Sequence, residues 1–203
     1  LAGGTLVADF NRDRLNLDEL SFVSPNRVKP DEKRIALARL TATPGTLKVR
    51  GGIQLASGDG RFEYRAERLP LLQRTDQWLV LSGEGEVLSG WNFANLKGRF
   101  SADAGFVGLA HTPPPSLGAD VVVIDPAKAA KPAASPFQMY TDLTVNLGDA
   151  LYVRALGLDT RLAGELSLVS GPGRPLEATG SIRTVGGVFE GYGQRLSIER
   201  GII

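Results

Sequence analysis

The chain has no cysteine and a single histidine, His111, and these two shortages remove much of the usual chemistry. Disulfides, thiolate zinc sites and a cysteine nucleophile are excluded. One imidazole in a run of prolines, with no recognisable nucleophile motif, makes neither a histidine metal cluster nor a catalytic triad, so His111 is read as a loop residue. Aromatic residues are sparse, at 7%. Trp78 and Trp91 bracket one segment, but the paired girdles of a membrane-spanning barrel are missing. No stretch reaches the roughly 18 consecutive apolar residues of a membrane-spanning helix, and LAGGTLVADF lacks the basic-then-apolar order of a signal peptide. An excess of either charge is lacking too, since 23 Lys and Arg face 22 Asp and Glu. A net charge of +1 supplies no field to draw nucleic acid, and no cofactor, metal or nucleic-acid partner is expected.

What is present is glycine, 25 residues of it, and a hydrophobic share of 42% spread through 203 residues. That length suits one domain, 1–203, with enough apolar mass for one layer. The pattern is almost entirely of period two, which sends alternate side chains to opposite faces of a strand. In RLAGELSLVSG, Leu162, Leu166 and Leu168 share a face with Gly164, and Arg161, Glu165 and Ser167 take the other. In LKVRGGIQL, Leu47, Val49, Ile53 and Leu55 oppose Lys48, Arg50 and Gln54. The same spacing recurs at Leu143, Val145 and Leu147; at Leu151, Val153 and Ala155; at Leu176, Ala178, Gly180 and Ile182; and at Leu196 and Ile198. Glycines inside these runs, such as Gly51, Gly52, Gly83, Gly85, Gly186 and Gly187, mark bulges, bends or close backbone approach. Helical spacing is confined to Leu69, Leu71 and Leu72, where Pro70 interrupts it. A Pro-, Ala- and Lys-rich excursion at about 111–137 carries one short expected strand, Val121 to Ile124, before the alternation resumes. The chain starts and stops abruptly, with Ile202 and Ile203 part-way through a strand pattern, and reads as a piece of a longer protein.

Repeated one-sided strands with no helix to cover them can bury their dry side in three ways. They stack as a sandwich, close as a barrel, or curl into a trough that takes up another molecule's hydrocarbon. Exposed methylenes cost about 0.8 kcal/mol each, so an acyl chain of about sixteen carbons faces a barrier of order 12 kcal/mol in an aqueous gap. An apolar trough lowers that barrier without any catalytic residue.

The runs GLDTRLAGEL (Gly157 to Leu166) and GSIRTVGGVFEGYGQRLSIERG (Gly180 to Gly201), with ADVVVID (Ala119 to Asp125), resemble the C-terminal domain of the TamB family over residues 119 to 203. The resemblance implies an all-β fold: a single strongly curved, antiparallel-rich sheet forming a trough with an apolar concave face, with a closed two-sheet sandwich as the alternative. It implies a periplasmic, non-enzymatic conduit or chaperone in outer-membrane biogenesis, on a longer protein anchored in the inner membrane of a Gram-negative bacterium. Phospholipid acyl chains or unfolded outer-membrane protein strands are the implied cargo. A TamA-like barrel is the implied partner, met through a segment outside this chain. The implied groove lining is Leu143, Val145, Leu147, Leu162, Leu166, Leu168, Ile182, Phe189, Leu196 and Ile198. Phe189 and Tyr192, set among the glycines of GGVFEGYGQ, belong either to the groove wall or to a bulged hairpin closing its end. The wetness of the face of Tyr152, Arg154 and Leu156 is open.

Two other functions compete. Glu84 and Glu86 in SGEGEV point to one face of a strand, as a retaining glycosidase pair would at about 5–5.5 Å, or as two solvated carboxylates. A purely structural spacer is the third reading.

Overall fold

Alternating apolar and polar residues, with glycine at the bends, assemble one mixed sheet of twelve strands in this computed structural model, which describes residues 3–109, 137–191 and 193–202. Six antiparallel strands follow one another: β1 (Gly4–Asn11), β2 (Arg14–Ser24), β3 (Gly45–Gln54), β4 (Gly60–Gln73), β5 (Gln77–Gly90) and β6 (Phe93–Leu109). The next two, β7 (Gln138–Asn146) and β8 (Leu151–Ala155), share one position and both run parallel to β6. Antiparallel pairing resumes with β9 (Leu158–Ser170) and β10 (Glu177–Gly191), and β11 (Gln194–Ser197) and β12 (Arg200–Ile202) share the last position beside β10. The expected strand Val121 to Ile124, His111 and Tyr192 lie outside the described residues.

No second sheet stacks on the first among the described residues, so the sandwich alternative gives way to the single curved sheet. Register shifts in β1, β2, β4, β5 and β10 bend and twist the strands where they fall. Leu69 to Leu72, where Pro70 interrupts the helical spacing, belong to β4, between register shifts on either side of Pro70, where a residue without an N–H is tolerated. The one helix among the described residues is α1 (Leu37–Thr41), too short to carry a helical period in the sequence and without a side-chain cap. Leu55 and Leu176, expected at the ends of strand runs, fall just outside β3 and β10 and are exposed.

The deepest core sits on one face of β5 and β6, beneath the connection between β2 and β3. Ile35 packs there on Trp78, Val80, Ala104 and Phe106, with Val28, Leu37, Leu40, Ala150 and Tyr152 around them. Plain alternation along β6 would put Phe100, Ala102, Ala104 and Phe106 on one face. Val80 pairs with Ala104 but Leu81 with Ala102, so Asp103 is an extra residue, and Ala104 and Phe106 turn to the face opposite Phe100. Ser82 Oγ donates to the Asp103 carboxylate at 2.7 Å, and burial pushes that carboxyl's pKa up.

Candidate hydrophobic trough

The pairing register joins the separate apolar runs into one face. Leu143 lies opposite Leu168, and Val145 opposite Leu166, across β7 and β9. Leu162 pairs with Leu151 on one side and Thr184 on the other, Ile182 lies opposite Gly164, and Phe189 lies opposite both Leu158 and Leu196. Leu147, just past β7, donates its amide to the Gly164 carbonyl at 2.9 Å and is buried. Ile198, just past β11, donates to the Gly187 carbonyl at 2.9 Å. The residues expected to line a groove therefore share one side of the sheet.

The same face continues through the N-terminal half. Gly98 and Phe100 pair with Leu143 and Val145. From there the register runs through Gly85 and Gly83 to Tyr64 and Ala66, on to Val49 and Leu47, then to Leu20 and Phe22 and out to Leu6. The signal for these residues was present in RFEYRA, where Phe62, Tyr64 and Ala66 alternate with Glu63 and Arg65. Most side chains of this face between β3 and β10 are half-buried although no described element lies over them. Neighbours on the same face and the curl of the sheet shield them. At the outer strands the shielding fails, and Leu6, Phe10 and Leu196 are exposed.

Tyr64 and Phe100 form the aromatic part of the floor, their rings 5.8 Å apart and nearly parallel. The other side of the sheet is charged. Arg50 pairs with Glu63 at 3.2 Å, Arg61 with Glu86 at 2.7 Å, and Arg65 with Glu84 at 3.7 Å. Glu84 and Glu86 do point the same way, and each is held by an arginine of β4. Two open depressions of about 660 and 740 Å³ lie on this charged side, walled by residues such as Lys48, Glu63, Arg65, Glu84, Arg99 and Glu165. Val49 and Tyr64 also contribute to the lining of the first, and Ala66 and Phe100 to that of the second. A third, of about 560 Å³, opens at the strand ends beside Phe137, Met139, Arg174 and Leu176.

The face of Tyr152 and Arg154 is not wet throughout. Arg154 lies over the Phe106 ring at 5.3 Å, and Arg34 over Tyr152 at 4.4 Å. The two tryptophans have separate roles. Trp78 is fully buried with Nε1 donating to Asn26 Oδ1 at 3.2 Å, whereas the exposed Trp91 sits in the turn after β5 and donates to the Ala56 carbonyl at 3.1 Å. The glycine-rich run around Phe189 contains a register shift between Val185 and Gly187, and β10 then pairs back on β11 as a hairpin. Among the described residues no group of His, Asp or Glu side chains is arranged to hold a metal ion.

The described residues thus form a single-sheet all-β protein with an apolar face on one side and, on the other, ion pairs around the core beneath the β2–β3 connection. The TamB C-terminal domain matches residues 34–203, and the chain belongs to the TamB family. The match reaches well upstream of the segment whose motifs carried the resemblance. The family supplies a subunit of the translocation and assembly module, acts with TamA in protein assembly, and is not known for enzymatic activity; its C-terminal domain is periplasmic in Gram-negative bacteria. No curated protein and no solved structure gives a significant match.

Proposed function

We propose that the apolar face is a non-enzymatic conduit for phospholipid acyl chains on their way to the outer membrane. The observation that carries this reading is the continuity of that face. Strands lie side by side along the sheet, and a hydrocarbon chain moving from β2 towards β10 meets an apolar floor on each in turn. Each methylene kept from water lowers the crossing barrier by about 0.8 kcal/mol. In this reading Leu143, Val145, Leu147, Leu162, Leu166, Leu168, Ile182, Phe189, Leu196 and Ile198 line the path. Residues 1–203, in this reading, act as one domain of an inner-membrane-anchored protein that works with a TamA-like barrel.

The test is native mass spectrometry of the purified chain, with solvent extraction to identify bound lipid. Co-purifying phospholipid, lost in a folded Leu166→Arg or Ile182→Arg variant, is the expected result, because a charge on a hydrocarbon path is costly to desolvate. A folded chain that carries no lipid and takes up no fluorescent fatty acid overturns the conduit.

A second reading takes an unfolded outer-membrane strand as cargo. Every residue of β1 is exposed and its outer edge has no partner strand among the described residues, which suits strand addition. Slowed amide exchange in β1 on adding an unfolded barrel segment, without lipid displacement, is the result that favours this cargo.

A further inference from the structure

The connection between β2 and β3 is long for neighbouring antiparallel strands, and it crosses the charged side of the sheet instead of turning tightly. Its first contacts are with β4, β5 and the turn between them. Asn26 accepts from Trp78 of β5; the Arg27 amide donates to Gln73 Oε1 at 2.8 Å, and the Asp31 amide to the Thr75 carbonyl at 2.8 Å. Ile35 then seals the core over β5 and β6. Just before Ile35, Glu32 and Arg34 form a clasp on β8 and β9.

Glu32 is at the centre of that clasp, with its side chain only 2% exposed. It accepts from Arg34 Nε at 2.8 Å and Nη2 at 2.7 Å, and from Arg154 Nη2 at 3.4 Å. Arg34 also pairs with Asp159 of β9, which accepts from Arg154 Nε at 3.1 Å. Both guanidinium groups lie over aromatic rings, Tyr152 and Phe106, which fixes them in place.

We propose that this strap is a brace: by tying the β2–β3 side to β9 on the charged face, it sets the curl of the sheet and so the width of the apolar trough on the other face. A two-sheet protein fixes its curvature by packing one sheet on the other. Here no second sheet does so among the described residues, and the strap is the described segment that spans the intervening strands. With the apolar face concave, tighter curling of the sheet lengthens the path across the charged face and pulls Arg34 away from Asp159, so the intact clasp limits how far the trough can close. The consequence for cargo rests on the conduit reading, but the brace itself does not.

The chain has no native cysteine, so Lys48→Cys on β3 and Glu165→Cys on β9 can carry the only two spin labels. Both positions are exposed on the charged face and outside the clasp. The distance between labels, read by pulsed electron resonance, should be narrowly distributed in the otherwise unaltered chain. In Arg34→Ala/Arg154→Ala, with the strand circular dichroism retained, it should broaden and shift. An unchanged distribution in that folded variant overturns the brace. If that variant loses its strand signal, Glu32→Gln in the same labelled chain provides the reading: broadening supports the brace, and no change overturns it. Lipid uptake is scored separately. Failure of the labelled parent to bind lipid removes the conduit and leaves the distance result intact.

Discussion

The phenol Oη of Tyr64, on β4, reaches over β5 and donates a 2.9 Å hydrogen bond to the carbonyl oxygen of Lys97 on β6. The ring can lie there because the two residues beneath it, Gly85 and Gly98, have no side chains. A Cβ at Gly85 would stand 2.5 Å from the Tyr64 oxygen, and one at Gly98 would come closer still. Two glycines that interrupt the apolar pattern thus make room for an aromatic surface on the same face.

Gly98→Val should therefore expel the Tyr64 ring and destabilise the chain by about 1–3 kcal/mol, the usual cost of overpacking. Tyr64→Phe should cost about 1 kcal/mol through the lost hydrogen bond. Urea unfolding followed by circular dichroism separates the two. Burial also pushes the Tyr64 phenol up. The unfolded chain then ionises first as pH rises above the ordinary tyrosine value, so stability should fall on the alkaline side, less steeply in Tyr64→Phe.

The core under the strap should dominate mutational sensitivity. Phe106→Ala should cost about 3–5 kcal/mol, as large aromatic truncations in buried sites do. Trp91→Ala, at an exposed turn, should cost about 1 kcal/mol, the scale of its one hydrogen bond to Ala56. Matched urea denaturation curves compare the two. Equal losses would show that the local core is not where stability resides.

Acid should loosen the strap. Hydrogen bonding from Arg34 holds the Glu32 carboxyl below its ordinary pKa against the opposing effect of burial. Burial pushes Asp159 up, but hydrogen bonds from Arg34 and Arg154 outweigh it and leave that carboxyl lowered as well. A carboxylate whose folded pKa is depressed stabilises the fold fully above its unfolded value, and that contribution is lost as pH falls through the folded one. The urea midpoint should hold near neutrality and drop below the ordinary carboxylate range. Glu32→Gln should lower the neutral plateau and flatten that acid limb, and an unaltered limb would show that Glu32 does not produce it.

At the bend of β10, Thr160 is fully buried and its Oγ1 donates to the Gly186 carbonyl at 2.5 Å. Thr160→Val keeps the shape and leaves that carbonyl without its hydroxyl partner, so it should cost about 1–3 kcal/mol. Thr160→Ser, which retains the donor, should recover part of the loss in the same unfolding assay.

Much of the architecture was legible in the residues. Alternation at Leu162, Leu166 and Leu168 against Arg161, Glu165 and Ser167 is local chemistry, because a strand sends neighbours to opposite faces whatever it pairs with. The all-β class and the one-sided strands follow from that alone, whereas the shared face of Leu143, Val145, Leu166 and Ile182 needs the pairing register of β7, β9 and β10. The five-residue helix α1 was not legible, since its apolar contacts belong to a tertiary core rather than to a repeating period.

What only the tertiary structure decided is where the alternation changes sides. Phe100 and Phe106 have the same parity in the sequence, yet the extra residue Asp103 sends Phe100 to the apolar face and Phe106 to the opposite face, beneath the strap. A bulge is a property of two paired strands, created when one carries a residue its partner does not match, so neither strand read alone records it. The clasp of Arg34 on Asp159 is likewise set by the fold, because it joins residues far apart in the chain that meet only once the sheet has curled and the strap has crossed it.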